Sequence, residues 1–330
     1  MKRRKIRSLS VSEIGMGCMG FSHGYGQVPD AGYAEEAIRE AFGYGCNFFD
    51  TAEGYGKELY YPGHNEEIVG RAVRGFRNEV VIATKLHIRP EAVEDCGSVY
   101  AAVRRHLERS LKNLQTDYVD LYYLHRINME VDYLEVAHAM GRLIQEGLVR
   151  EWGISAVDKA QLEAAHAVTP VGAVQNIYSM VERTSEKDVI PFCVKNEIAF
   201  VPFSPVASGL LSGKITPDTE FGRVDDVRVW VPQWFTVLCC TGPAHRYSGM
   251  DPTAEPLCSC THSAVTIFII PHSKQNFKCF CKKILFFLQI LRFGKRDSES
   301  DNKNRKSVLD KPDFFWYTNS NKTETALFPL

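Results

Sequence analysis

Four side chains in the first 125 residues have the chemistry for moving a proton. Asp50 and Tyr55 share the stretch "FFDTAEGYG", Lys85 ends "VVIATK", and His125 ends "VDLYYLH". A phenol releases its proton with a pKa of about 10, too high for an efficient acid at neutral pH. An ammonium beside it stabilises the phenolate and is expected to pull that pKa down. A carboxylate paired with the ammonium holds it in place, and a histidine steers a carbonyl group toward the phenol. Together these groups make a general acid suited to protonating an alkoxide as it forms. Forming that alkoxide from a carbonyl takes a hydride donor, so a nicotinamide cofactor is implied.

Each residue alone has an ordinary structural reading. Asp50-Thr51 could cap a loop, Tyr55 could be a surface aromatic, Lys85 could snorkel from a strand end, and His125 could be a satisfied, partly buried ring. The framework around them decides. Short β-branched or aromatic runs recur at 14–20, 47–52, 80–86, 119–125, 149–155, 173–179 and 199–205. They are near-continuously apolar, as strands covered on both faces should be. Amphipathic helical patterns lie between them at 34–45, 65–75, 98–115, 133–147 and 186–196, with Gly45 as a stop and Asn65 as an N-cap.

Strand–helix alternation predicts a parallel sheet with right-handed crossovers. "GMGCMG" loosely matches a dinucleotide fingerprint, but no clear helix follows it. Seven units before residue 206 therefore predict an α/β fold of the (β/α)8 barrel type, incomplete or irregular at the eighth strand and the C-terminal helices. In such a barrel the active residues sit at the C-terminal ends of the strands. Those positions are Asp50 with Tyr55, then Lys85, then His125, and later Ser155, Gln175 and Ser204.

The bulk numbers exclude other classes. Residues 1–228 hold 26 Lys+Arg against 32 Asp+Glu, and the remainder 13 against 8, so neither part is basic enough to argue for nucleic acid. No apolar run approaches the length of a spanning helix, and none follows the basic "MKRRKIR", so neither a membrane segment nor a secretory leader is expected. Cys18, Cys46, Cys96 and Cys193 are scattered as in a cytoplasmic protein. The later cysteines form C-x-C pairs rather than zinc-type spacings, so no metal is expected.

The sequence resembles the aldo-keto reductases, nearest to the plant and bacterial branch that includes perakine reductase and the auxin-induced, shaker-β-related members. The resemblance is carried by "IGMGCMGFSHGYG", "FFDTAEGYG", "ATKL", "LKNLQTDYVDLYYLHR", "GLVREWGIS", "AVQNIYSMVER" and "FVPFSPVASGLLSGK", over about residues 8–233. It implies NADPH-dependent reduction of a small aldehyde or ketone, with Asp50, Tyr55, Lys85 and His125 as the catalytic tetrad and Tyr55 as proton donor. It also implies that Ser155 and Gln175 bond the nicotinamide carboxamide and that Phe203 stacks near its ring. Ser204, Pro205, Val206, Ser208, Gly209 and Leu210 would form the loop over the pyrophosphate. A regulatory subunit on the same fold, like the shaker channel β subunits, is the alternative. That branch carries asparagine at the place of His125, which favours the enzyme.

After residue 233 the pattern departs from the family, whose eighth strand leads to a turn that binds the 2′-phosphate of NADP. Residues 234–330 are rich in cysteine and then polar, and read as disordered or foreign to the family. "AVTIFIIPHSK" (264–274) is a candidate mimic of the eighth strand. Without it, a seven-stranded barrel would leave two sheet edges unpaired, and a truncated or catalytically impaired product would be the third reading.

Overall fold

The structure is a computed structural model. It describes residues 1–212, Ile215, Thr219, Asp226 and Arg228, and the backbone of 265–268, 315–318 and 325–328. The chain opens with an antiparallel hairpin, β1 (Arg3–Ile6) and β2 (Leu9–Ser12). Seven parallel strands then follow in sequence order: β3 (Ile14–Gly17), β4 (Phe48–Asp50), β5 (Val81–Leu86), β6 (Val119–Leu124), β7 (Val149–Ser155), β8 (Ala173–Ile177) and β9 (Ala199–Phe203). They form the curled parallel sheet of a (β/α)8 fold. The expected eighth place beside β3 is taken by β10 (Val265–Phe268), which runs antiparallel, with Val265 opposite Gly17 and Phe268 opposite Ile14. The edge of β3 is therefore paired, contrary to the seven-stranded expectation, but in the reverse direction. A separate antiparallel pair, β11 (Phe315–Thr318) and β12 (Thr325–Phe328), lies within the divergent tail. The rest of that tail is outside the described residues, including "PHSK" and the boundary at residue 233.

The crossovers are α1 (Ala31–Gly43), α2 (His64–Val73), α3 (Pro90–Cys96), α4 (Val99–Leu114), α5 (Tyr133–Gln145), α6 (Lys159–Val168) and α7 (Val189–Lys195). Local signals start several of them. The side chains of Asp30, Ser98 and Asp132 accept from backbone N–H groups in the first turns of α1, α4 and α5, and Asp158 with Gln161 makes a capping box on α6. Asn65 is not the cap of α2. Left-handed Gly63 precedes that helix. The buried Asn65 side chain instead accepts from Thr51 Oγ1 at 2.6 Å and donates to Cys18 O at 2.9 Å and Ser22 Oγ at 2.7 Å.

Two apolar layers result from the two-residue period of the strands. Ile82, Leu86, Tyr122, Leu124, Trp152, Ile154 and Val174 point outward against the helices. Phe48, Val81, Ala83, Leu121, Tyr123, Ala173, Ala199 and Val201 point inward, and Ile6, Leu9 and Val11 of the hairpin pack against them. The hairpin is tied to the N-terminal ends of the strands. Ser12 N–H donates to Asn47 Oδ1 at 2.6 Å, and the Ser8 hydroxyl donates to Glu151 Oε1 at 2.6 Å. It plugs that end of the barrel, leaving the opposite end for the site.

Candidate active site

Parity decides which side chains reach the barrel mouth. Phe48 faces inward, so Asp50 does too, and Val81 and Ala83 are followed inward by Lys85. Leu121 and Tyr123 lead to His125, Ala173 to Gln175, and Ala199 and Val201 to Phe203. Every one of these end positions carries a site residue expected from the sequence. Gly153 keeps the interior passable beside Tyr123: a Cβ there would lie 2.3 Å from Tyr123 Cε1 and 2.7 Å from Ala173 O.

Lys85, fully buried, is the hub. Its Nζ donates to Asp50 Oδ1 in a short ion pair, to Thr51 O at 2.7 Å, and to the Tyr55 hydroxyl at 3.2 Å. Gln175 Nε2 donates to the other Asp50 oxygen at 2.9 Å. The His125 ring meets the Tyr55 ring edge-on at 5.7 Å between centroids. The four acid–base residues thus stand together, three of them linked through one ammonium.

Burial opposes the Lys85 charge, but Asp50 and Tyr55 outweigh it, so the lysine is held above its ordinary value. Burial also raises the Asp50 carboxyl, with Lys85 and Gln175 pulling the other way. The bonding contact and the raised lysine make this a charged pair. For Tyr55 the structure corrects the expectation. Burial raises the phenol above its ordinary value and Lys85 only partly offsets it, so Tyr55 keeps its proton at neutral pH. Burial, with Lys85 and Arg126 nearby, pushes His125 down to about 2, so its ring is neutral.

A cavity of about 930 Å³ opens over these groups, with Asp50, Tyr55, His125, Gln175, Phe203, Ser204 and Ser208 in its lining. Ser155 is buried and not part of the lining, but its hydroxyl accepts from Nη1 of Arg126, which is, at 3.0 Å. The loop after β9 is strained: Ser204, Ala207 and Ser208 have φ of 51°, 52° and 51°, and Gly209 has 97°. Non-glycine residues hold such angles where the surrounding structure imposes them, commonly at ligand clamps. Backbone turned this way presents N–H groups to an anion. The structure brings Ser204 and Ser208 to the cavity; Pro205, Val206, Gly209 and Leu210 belong to the same loop but not to the lining.

Three contributors carried no assignment in the sequence. Arg126 follows His125 and lines the cavity. Tyr25, in the glycine-rich loop after β3, hydrogen-bonds Ser208 and Ser204. Glu53 accepts from His87 N–H at 2.7 Å and pairs with His106 Nδ1 at 2.7 Å, fixing the start of the loop that carries Tyr55. The available signals were position alone: a cation directly after a strand-end histidine, and a carboxylate two residues before the phenol.

A model of the aldo/keto reductase family matches residues 13–263, past the point where the quoted motifs end. The chain is 35% identical over 212 residues to the "Probable aldo-keto reductase 1" of Glycine max, matching 63% of this chain and 60% of that relative's length. Among solved structures it is similar to a glycerol dehydrogenase from Gluconobacter oxydans, at 28% identity and a TM-score of 0.61, covering 70% of this chain and 72% of that one. It is also similar to an aldo-keto reductase from Klebsiella pneumoniae in complex with NADPH, at 29% identity and a TM-score of 0.54, covering 63% and 70%. No helix among the described residues is long and apolar enough to cross a membrane. With the matched motifs, the parallel sheet and the clustered strand-end residues in agreement, the chain belongs to the aldo/keto reductase family.

Proposed function

We propose that the protein reduces an aldehyde or ketone to the alcohol with NADPH, and that Tyr55 supplies the proton. The observation that carries this reading is the single buried ammonium of Lys85 joining Asp50 to the Tyr55 hydroxyl at 3.2 Å, beneath a cavity that His125 also lines. The Klebsiella pneumoniae neighbour, solved with NADPH, supports the choice of cofactor.

The residues present fit a nicotinamide. Gln175 lines the cavity and Ser155 is bonded to the lining residue Arg126, Phe203 offers an aromatic face, and the strained loop at 204–209 suits a pyrophosphate. These residues would hold the reduced nicotinamide, which when bound supplies the hydride to the carbonyl carbon. As negative charge develops on the carbonyl oxygen, Tyr55 O–H transfers its proton there and the product leaves as the alcohol. Lys85 stabilises the phenolate left behind, and Asp50 keeps the ammonium charged and aimed. His125, held neutral, orients the carbonyl oxygen by hydrogen bonding without competing as an acid. The phenolate then regains a proton from solvent.

The test is NADPH oxidation by the full chain on a panel of aldehydes and ketones, with Tyr55→Phe alongside. Loss of a positioned general acid predicts a fall in kcat of roughly 10²–10⁴ with NADPH binding retained. A wild-type chain that binds NADPH but turns over no carbonyl would instead favour the regulatory-subunit reading.

A further inference from the structure

We infer that the cavity takes carbonyl substrates bearing a carboxylate, small oxo acids or semialdehydes, and that Arg126 is the residue that selects them. This rests on the carbonyl-reductase reading above and narrows its substrate class.

Arg126 enters the cavity directly after His125. Its Nη1 donates to its neighbour's carbonyl, His125 O, at 2.5 Å and to Ser155 Oγ at 3.0 Å. Its Cζ stands 5.5 Å from the centre of the Phe203 ring. Those contacts fix the plane of the guanidinium while using one nitrogen. Nη2 and Nε take no acceptor among the described residues and are not among the buried orphan atoms, so they are open to the cavity.

The other inward cations are satisfied. Lys85 has Asp50, and Arg105 has Asp95 at 3.6 Å. Arg89 and Arg109 lie exposed at the rim. Arg126 alone is a half-buried cation, without a carboxylate among the described residues, beside the acid–base groups. A half-buried guanidinium with a free edge is built to take a carboxylate through two parallel N–H···O bonds. Arg126 and Tyr55 line the same cavity, and Arg126 directly follows His125, whose ring meets that of Tyr55 at 5.7 Å, so an anion on Arg126 and a carbonyl on Tyr55 can belong to one small molecule. Phe203 and Ile177, also in the lining, give that molecule's carbon skeleton an apolar wall.

The other source of an anion is the cofactor itself, and the experiment separates the two. Wild type, Arg126→Gln and Arg126→Lys are compared at saturating NADPH on two matched pairs: succinic semialdehyde with its methyl ester, and 4-carboxybenzaldehyde with its methyl ester. Wild type should favour the acid of at least one pair in kcat/KM, and Arg126→Gln should cut that acid-to-ester ratio by at least about tenfold through KM. Arg126→Lys should keep part of the preference, because the charge stays and the fork is lost. An unchanged ratio, or an effect confined to NADPH affinity, overturns the inference and leaves the reductase reading standing. If wild type turns over none of the four, the wider panel of aldehydes and ketones decides the reductase reading. Calorimetric titration with 4-(hydroxymethyl)benzoate then decides the carboxylate site: binding to wild type but not to Arg126→Gln sustains it, and no difference overturns it.

Discussion

Replacing Lys85 by methionine tests whether the hub of the site is a charged pair sealed in the barrel. Lys85 is fully buried and Asp50 is 2% exposed. Removing the ammonium leaves the Asp50 carboxylate, among the described residues, with the Gln175 Nε2 bond at 2.9 Å and no positive charge. Breaking a buried pair from one side costs about 3–5 kcal/mol, because an uncompensated charge stays behind. That is a large part of the roughly 5–15 kcal/mol that holds a typical domain folded. Removing both charges, as Asp50→Asn with Lys85→Met, should cost less than Lys85→Met alone. The pH dependence gives an independent check. In the single variant burial raises the Asp50 carboxyl with no cation opposing it. A group whose folded pKa is raised contributes its stability fully below its unfolded pKa and loses it as pH rises through the folded value. The gap between wild type and Lys85→Met should therefore narrow as pH falls from about 7 toward about 4, by at most about 1.4 kcal/mol per unit. Urea unfolding of the three proteins across that range measures both effects. A double variant no more stable than the single, with a gap independent of pH, would refute the charged-pair reasoning.

Three further outcomes follow from the same geometry. His125, pushed down to about 2, contributes stability above its unfolded value of about 6.5 that is lost as pH falls below it, so His125→Asn should flatten the acid side of the stability curve measured by thermal unfolding. Glu53→Ala frees the loop from His87 and His106 and should lower kcat by roughly tenfold or more through misplacement of Tyr55, whereas Glu53→Gln, which can still accept from His87 N–H, should lose less in steady-state assays. Gly153→Ala puts a methyl 2.3 Å from Tyr123 Cε1 and should destabilise by about 1–3 kcal/mol in denaturant titration.

What could be read from the sequence and what could not divide along a physical line. A charged or proton-bearing residue that ends an apolar run is a local cost, visible wherever it falls, and Asp50, Lys85 and His125 all announce themselves in this way. The two-residue period then carries them to one mouth without any knowledge of tertiary contacts, because Phe48, Val81 with Ala83, and Leu121 with Tyr123 already face inward. Quantities set by distant neighbours were not legible. Asn65 has the type and place of a helix cap, yet its side chain is claimed by Thr51, Cys18 and Ser22, and no local rule shows that competition. Helix α6 buries only Leu162 and Ala165, too thin a stripe to stand out, and α3 is barely two turns long. The net Tyr55 shift divides in the same way: Lys85, which lowers the phenol as expected, is written in the sequence, but the burial that outweighs it is not. Arg126 is the sharpest case. An arginine just past a strand end reads as a solvated charge, and only the fold turns it inward against Ser155 and Phe203. Sequence thus names the groups that perform acid–base chemistry, whereas the group proposed to choose the substrate becomes visible only when the strand ends are brought together.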